Sequence, residues 1–186
     1  MVTAEAARES GQSAEGARAE LHQLARADVL SFALRFDESS EYVDVVEGLI
    51  RVPRSPRWLT GLFLNDGVAV PLIDLTAWAR SDGGGAGAGA TKGRRRALRF
   101  GAGLEAWAIQ LTQVPSVVER SAVTPLAVPG QWPLSVVASC GRLLEHTESI
   151  WQLPDQTHAL RVNWPLLNKA LRADLSSISM ATESTR

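Results

Sequence analysis

Residues 61–75 read GLFLNDGVAVPLIDL. Asp66-Gly67 stands between two apolar runs, with Leu62, Phe63 and Leu64 leading in and Val68, Val70, Leu72, Ile73 and Leu75 leading out. Asn and Gly tolerate the positive φ of a tight turn, so the local reading is a β-hairpin. Pro71 would cost a ladder hydrogen bond in a central strand, which puts the second strand at an edge, a bulge or a barrel rim. The stretch therefore predicts strand, turn, strand. What the turn is for is the question it poses.

Outward from this hairpin the chain reads as a series of short strands. Upstream, Leu30, Phe32, Leu34 and Phe36 alternate with Val29, Ser31, Ala33 and Arg35, the period of a half-buried strand. DESSE (37–41) follows as a turn, then YVDVVEGLIRV (42–52) as a second apolar segment. Arg51-Val-Pro-Arg-Ser-Pro56 is extended, because each proline pushes its predecessor out of the α region. Downstream, SDGGGAGAGATKG (81–93) holds six glycines and no large side chain, and reads as a flexible surface loop. RRRALRFGAGLEAWAIQL (94–111) reads as two strands joined at Gly101–Gly103, with Trp107, Ile109 and Leu111 on one face. A proline-punctuated stretch leads to LSVVAS (134–139), a turn at Cys140-Gly141, and short strands near 147–153 and 158–162. Asn163 is a good N-cap, Pro165 is allowed in a first helical turn, and Trp164, Leu167, Leu171 and Leu175 share one helical face. The chain thus predicts an all-β barrel or sandwich closed by a terminal amphipathic helix, not βαβ units.

The remaining segments carry less. Residues 1–27 are rich in Ala, Glu and Arg. The spacing of Ala17, Leu21, Leu24 and Asp28 allows one thin helical face, so this segment is expected to be a tail, partly disordered or weakly helical. Residues 174–186 are expected to be a C-terminal tail. Over all 186 residues, 45% are hydrophobic and 21% charged, which is ordinary globular usage. A net charge of -1 gives no global attraction to nucleic acid or anionic lipid. The single cysteine, Cys140, excludes an intrachain disulfide. With no signal-peptide pattern at the N-terminus and no apolar run long enough to span a bilayer, a soluble cytoplasmic protein without membrane insertion is expected.

No constellation points to catalysis, a metal or a cofactor. His22, His146 and His158 lack metal-ligand spacing, and Ser139-Cys140-Gly141 lacks a nucleophile elbow and an evident His/Asp partner. Asp74 is one carboxylate in an apolar strand, better read as closing that strand by accepting backbone N–H groups. The glycine loop lacks the phosphate-loop pattern. Lys92, Arg94, Arg95, Arg96 and Arg99, beside Trp107, would suit an oligonucleotide-binding barrel, but a solvated loop base explains them as well. Of the six tryptophans, Trp58 and Trp132 follow proline-rich turns and are the candidates for exposure.

Together these residues resemble the CheW family of chemotaxis coupling proteins. RVPRSPRWLTG matches that family's approach to its signature Gly-x-x-Asn-Leu-Arg-Gly-x-x-x-Pro-x-x-Asp-Leu, and Gly61, Gly67, Pro71, Asp74 and Leu75 stand at the matching places. VLSFALRF is similar to the first strand, RALRFGAGLEAWAIQLTQVPSVV to the strand pair of the second half, and HALRVNWPLLNKAL to the closing strand and helix. The resemblance covers roughly residues 28–173. It implies two small five-stranded β-barrels about a shared core, a C-terminal helix and no catalysis. It also implies an adaptor between a chemoreceptor cytoplasmic tip and the regulatory domain of a CheA-type histidine kinase, recruited to membrane-associated arrays and serving, among the candidate outputs, pili or surface motility. The partner-binding residues it implies are Leu64, Asn65, Asp66, Gly67 and Val68.

Two departures stand out. Asp66 occupies the family's arginine position, and a carboxylate cannot make a bidentate guanidinium contact. The segment from Phe36 to Pro53 is about five residues short, leaving Glu47 as a remnant of a Val-x-Glu-Ile pattern. These departures keep two alternatives open: an oligonucleotide-binding barrel with Arg94, Arg95 and Arg96 as its footprint, and a scaffold of this fold that has lost kinase coupling.

Overall fold

In the computed structural model, residues 20–35, 41–45, 48–81, 95–126 and 129–183 are described. Eleven strands are found among them: β1 (Leu21–Ala27), β2 (Leu30–Arg35), β3 (Glu41–Val45), β4 (Leu59–Asn65), β5 (Val68–Ile73), β6 (Arg95–Phe100), β7 (Trp107–Leu111), β8 (Ser116–Glu119), β9 (Thr124–Leu126), β10 (Thr147–Gln152) and β11 (His158–Val162). Three α-helices accompany them, α1 (Leu75–Ala79), α2 (Leu134–Cys140) and α3 (Trp164–Glu183). The strands form two curled half-barrel sheets, one ordered β8-β1-β2-β11-β10-β9 and the other β3-β6-β7-β5-β4. The architecture matches the expectation of an all-β fold with a C-terminal helix; the first sheet has six strands, where the resemblance implied five.

Each sheet has a small core of its own, and a larger one lies between them. Val43, Val45, Phe63, Val70, Leu72, Ala97 and Ala108 fill the second sheet's inner face. Ala33, Val123, Trp151, Leu153 and Ala159 do the same for the first. The shared core takes Phe32, Leu34 and Leu160 from one sheet and Ile73, Leu98, Phe100, Trp107 and Ile109 from the other. β2 is buried on both faces at its centre, where Phe32, Ala33 and Leu34 follow one another. Trp164 sits at the junction, stacked on Phe100 with ring centroids 5.0 Å apart and tilted against Phe32 at 5.3 Å.

α3 forms as its sequence predicts. Asn163 Oδ1 accepts the Leu166 N–H at 3.1 Å, and Trp164, Leu167 and Leu171 are buried in the shared core. The helix continues to Glu183, so residues 174–183, expected to be tail, are its last turns. Asp174 itself has a packing role. Its Oδ2 accepts the Trp78 indole N–H at 2.8 Å and lies 3.0 Å from an Arg142 nitrogen, while the Arg142 guanidinium covers the Trp78 ring at 4.3 Å.

Other expectations need correction. Residues 21–27 are neither tail nor helix but strand β1, hairpinned through Asp28-Val29 to β2 (Leu30–Arg35), which is therefore the second strand of the fold. The inward positions of β1 include Ala25 and Ala27, and such small side chains leave no alternating hydrophobic signal. LSVVAS forms most of helix α2 rather than joining the strand series. Gly141 ends it at φ 48°, where any Cβ would strike the Ala79 carbonyl. The glycine-rich stretch 81–93 (Ser81 apart), most of DESSE, Phe36, Glu47 and residues 1–19 lie outside the described residues.

Truncating the helix face tests the docking. Leu167→Ala is expected to lower stability by about 2–5 kcal/mol, read as a shifted denaturation midpoint. An unchanged midpoint would contradict the burial of Leu167.

Candidate docking surface

The opening stretch folds as its sequence dictates. β4 and β5 pair in antiparallel register from Leu59↔Ile73 to Asn65↔Val68, leaving Asp66-Gly67 as a two-residue turn. Both turn residues have positive φ, 51° and 77°, the type I′ combination that Asp-Gly favours and that matches strand twist. Asn65 Nδ2 donates to Asp66 Oδ2 at 2.9 Å and steadies the carboxylate at the tip. Asp74 closes the segment: it caps α1, its Oδ1 accepting the Ala77 N–H at 2.9 Å, and the adjacent Leu75 is buried in the shared core.

Two backbone details make the hairpin possible. Gly61 has φ 151° beside a bulge in β4, and a Cβ there would come within 2.7 Å of the Ile50 carbonyl oxygen and 2.9 Å of Leu49 Cγ. Pro71 lies not on an edge strand but in β5, between β7 and β4. Leu62 exchanges both backbone hydrogen bonds with Ile50, so its N–H and C=O point away from β5 and Leu62/Pro71 is a non-hydrogen-bonded pair. The missing proline N–H thus falls on the β7 side, where pairing starts only at Leu72.

Alternation then sorts the side chains. Phe63, Val70 and Leu72 point into the second sheet's core, and Val68 packs against the same cluster. Leu62, Leu64, Ala69 and Pro71 therefore face outward. Leu64 is 67% exposed, and Ile50, which bridges to Leu62, is 55% exposed. Asp66, Gly67 and Ala69 are exposed, while Asn65 is half-buried. Of the five sequence candidates, Leu64, Asn65, Asp66 and Gly67 form the tip, and Val68 anchors it from below. Residue-level reasoning missed Ile50 and Leu104, the latter 96% exposed between β6 and β7. Neither carries a signal in the sequence, because exposure of an apolar residue depends on neighbours distant along the chain.

The other candidates fall elsewhere. Arg95 is buried on β6, where burial and then the nearby Arg51 guanidinium lower its pKa. Arg99 pairs with Glu41 at 3.2 Å, Arg96 is exposed, and Lys92 and Arg94 lie outside the described residues. Arg95 is therefore not part of an open basic footprint. Trp58 is buried, and the half-buried Trp132 donates to the Leu126 carbonyl at 2.6 Å. Cys140 is fully buried, and desolvation raises its thiol pKa to about 11, away from nucleophile chemistry. His22 is buried edge-on to Trp151, with centroids 4.7 Å apart. His146 sits 5.9 Å from the Trp78 ring; burial lowers its pKa against the opposing effect of Glu145, and Arg142 lowers it further.

A concave feature lies on the first sheet. A cleft of about 390 Å³ opens between the β1–β2 hairpin, α2 and the β10–β11 turn, with Leu24, Leu30 and Val136 among its apolar lining and Arg26, Asp155 and His158 among its polar groups. The Asp155 carboxyl is held below its usual pKa by the Thr157 hydroxyl and N–H, which donate at 2.6 and 3.0 Å.

Two half-barrel sheets about a shared aromatic core, closed by a C-terminal helix, define a CheW-like fold. Among solved structures the chain is similar to the scaffolding protein TtCheW from Thermoanaerobacter tengcongensis. The two are 15% identical over 77% of this chain and 88% of that one, with a TM-score of 0.53. No family model matches the chain, and no curated protein matches it by sequence.

Gly61→Ala is expected to cost about 1–3 kcal/mol or more, since it combines an unfavourable φ with a backbone clash. A thermal midpoint equal to that of the unmodified chain would show that β4 does not need the Ile50 approach.

Proposed function

We propose that this chain is a divergent, non-catalytic member of the CheW-like adaptors, coupling chemoreceptor cytoplasmic tips to the regulatory domain of a CheA-type histidine kinase. The observation that carries the reading is the exposed leucine at position 64, held on a rigid type I′ hairpin of a CheW-like fold. A partner that covers this side chain would remove its apolar surface from water, which gives the tip a favourable contact to contribute. An adaptor also needs a second surface, and the cleft beside α2, on the other sheet, is the candidate for it. No helix among the described residues is long and apolar enough to cross a membrane, so recruitment to a receptor array would run through protein contacts. Pilus or surface motility is the output we propose.

The test is binding of the purified CheA-type regulatory domain by calorimetry, comparing the chain with Leu64→Glu. A charge at the centre of an apolar contact is expected to weaken binding about tenfold or more with little change in melting temperature. Equal affinity for both proteins would remove the tip from the interface. Receptor binding without kinase binding would identify a scaffold that has lost coupling. Salt-dependent retention of single-stranded DNA or RNA would instead favour the oligonucleotide-binding reading.

A further inference from the structure

The second sheet brings two hairpin tips to one end. β5 and β7 are parallel neighbours paired at Leu72↔Ala108, so the turns that precede them share an end of the sheet. These are Asp66-Gly67 before β5 and residues 101–106 before β7, and the 3-10 turn Gly103–Glu105 lies against β5. Leu104 in this second turn is 96% exposed, and Leu64 beside the first is 67% exposed. The second turn is held in place: Arg172 of α3 donates to the Glu105 carbonyl at 2.9 Å and pairs with its carboxylate at 3.1 Å. That pairing offsets the Glu105 charge. Asp66 is exposed, and among the described residues its carboxylate accepts from the neutral Asn65 amide.

We infer that Leu64 and Leu104 form one docking surface with Asp66 as its charged edge, and that the partner's complementary surface is apolar and rimmed by a basic side chain. Two exposed leucines on separately braced turns at one sheet end make an apolar contact too wide for a single side chain. The acidic edge selects a partner of opposite sign and disfavours one carrying a carboxylate there. Asp66 stands where the resembling family has arginine, so this chain and its partner would have exchanged charge at one contact. The inference rests on the adaptor reading and adds the partner's chemistry to it.

The probe is the CheA-type regulatory domain, titrated into the full chain and into Leu104→Ser, Leu104→Ala, Asp66→Asn and Asp66→Arg, each first checked for an unchanged melting temperature. Leu104→Ser is expected to weaken binding about tenfold, with Leu104→Ala intermediate. Asp66→Arg should weaken it more than Asp66→Asn. Raising salt from about 50 to 500 mM should weaken the unmodified chain more than Asp66→Asn, because exposed charge contacts are screened. If Leu64→Glu abolishes binding while the Leu104 and Asp66 variants bind normally, the adaptor reading stands and this inference fails. If Asp66→Arg binds more tightly, the partner's edge is acidic and the stated chemistry is wrong. If the unmodified chain does not bind the domain, both fail together.

Discussion

The structure depends on one aromatic stack. Trp107 lies on Phe100 with centroids 4.5 Å apart, Phe100 on Trp164 at 5.0 Å, and Trp164 against Phe32 at 5.3 Å. Phe32 belongs to the first sheet, Phe100 and Trp107 to the second, and Trp164 to α3, so the stack joins all three. Polar ties cross the same junctions: the Thr112 N–H and hydroxyl donate to the Arg26 carbonyl at 2.9 and 3.1 Å, Thr76 Oγ1 donates to the Ala27 carbonyl at 2.9 Å, and Arg172 of α3 reaches Glu105. Rings of this size each bury roughly 150–250 Å² and gain further from offset packing, which makes the stack the dominant link. The helix is therefore a structural keystone rather than an appendage.

A rigid body below makes an exposed tip useful above. The Trp78–Asp174–Arg142 cluster fixes α3 against α1 and the 141–146 turn, and Arg172 ties the same helix to the turn that carries Leu104. Thus one helix orders the sheet junction and one of the two tips proposed for docking. Side chains presented on braced turns lose little entropy on binding, a property that suits the proposed adaptor role.

Much of the fold was legible because local chemistry and tertiary demand agreed. Asp66-Gly67 between apolar runs strongly favours a type I′ hairpin, and the Asn163 cap with apolar residues at helical spacing favours a helix. Legibility failed where small or flanking residues carried the burial. Ala25 and Ala27 hide strand β1, and Pro71 looks like an edge residue until the Ile50 bridge shows which way its nitrogen points. The basic run misled for a related reason, since of two adjacent arginines on β6 the fold buries Arg95 and leaves Arg96 exposed. Of the candidate site, Leu64 through Gly67 could be picked from the hairpin and the family resemblance. Ile50 and Leu104 could not, because exposure of an apolar residue is set by partners distant in sequence.

Asp66 has two explanations that bear on different links of the argument. Its backbone conformation suits the turn whatever the function, whereas its charge matters only to a partner. The central claim, that this end of the second sheet is where a kinase regulatory domain docks, is tested most directly by amide chemical-shift mapping. The isotope-labelled chain would be titrated with the unlabelled domain. The account predicts perturbations concentrated at residues 64–69 and 103–105, with the α2 cleft silent. Perturbations centred on that cleft, or on β8 at the far edge of the first sheet, would contradict it.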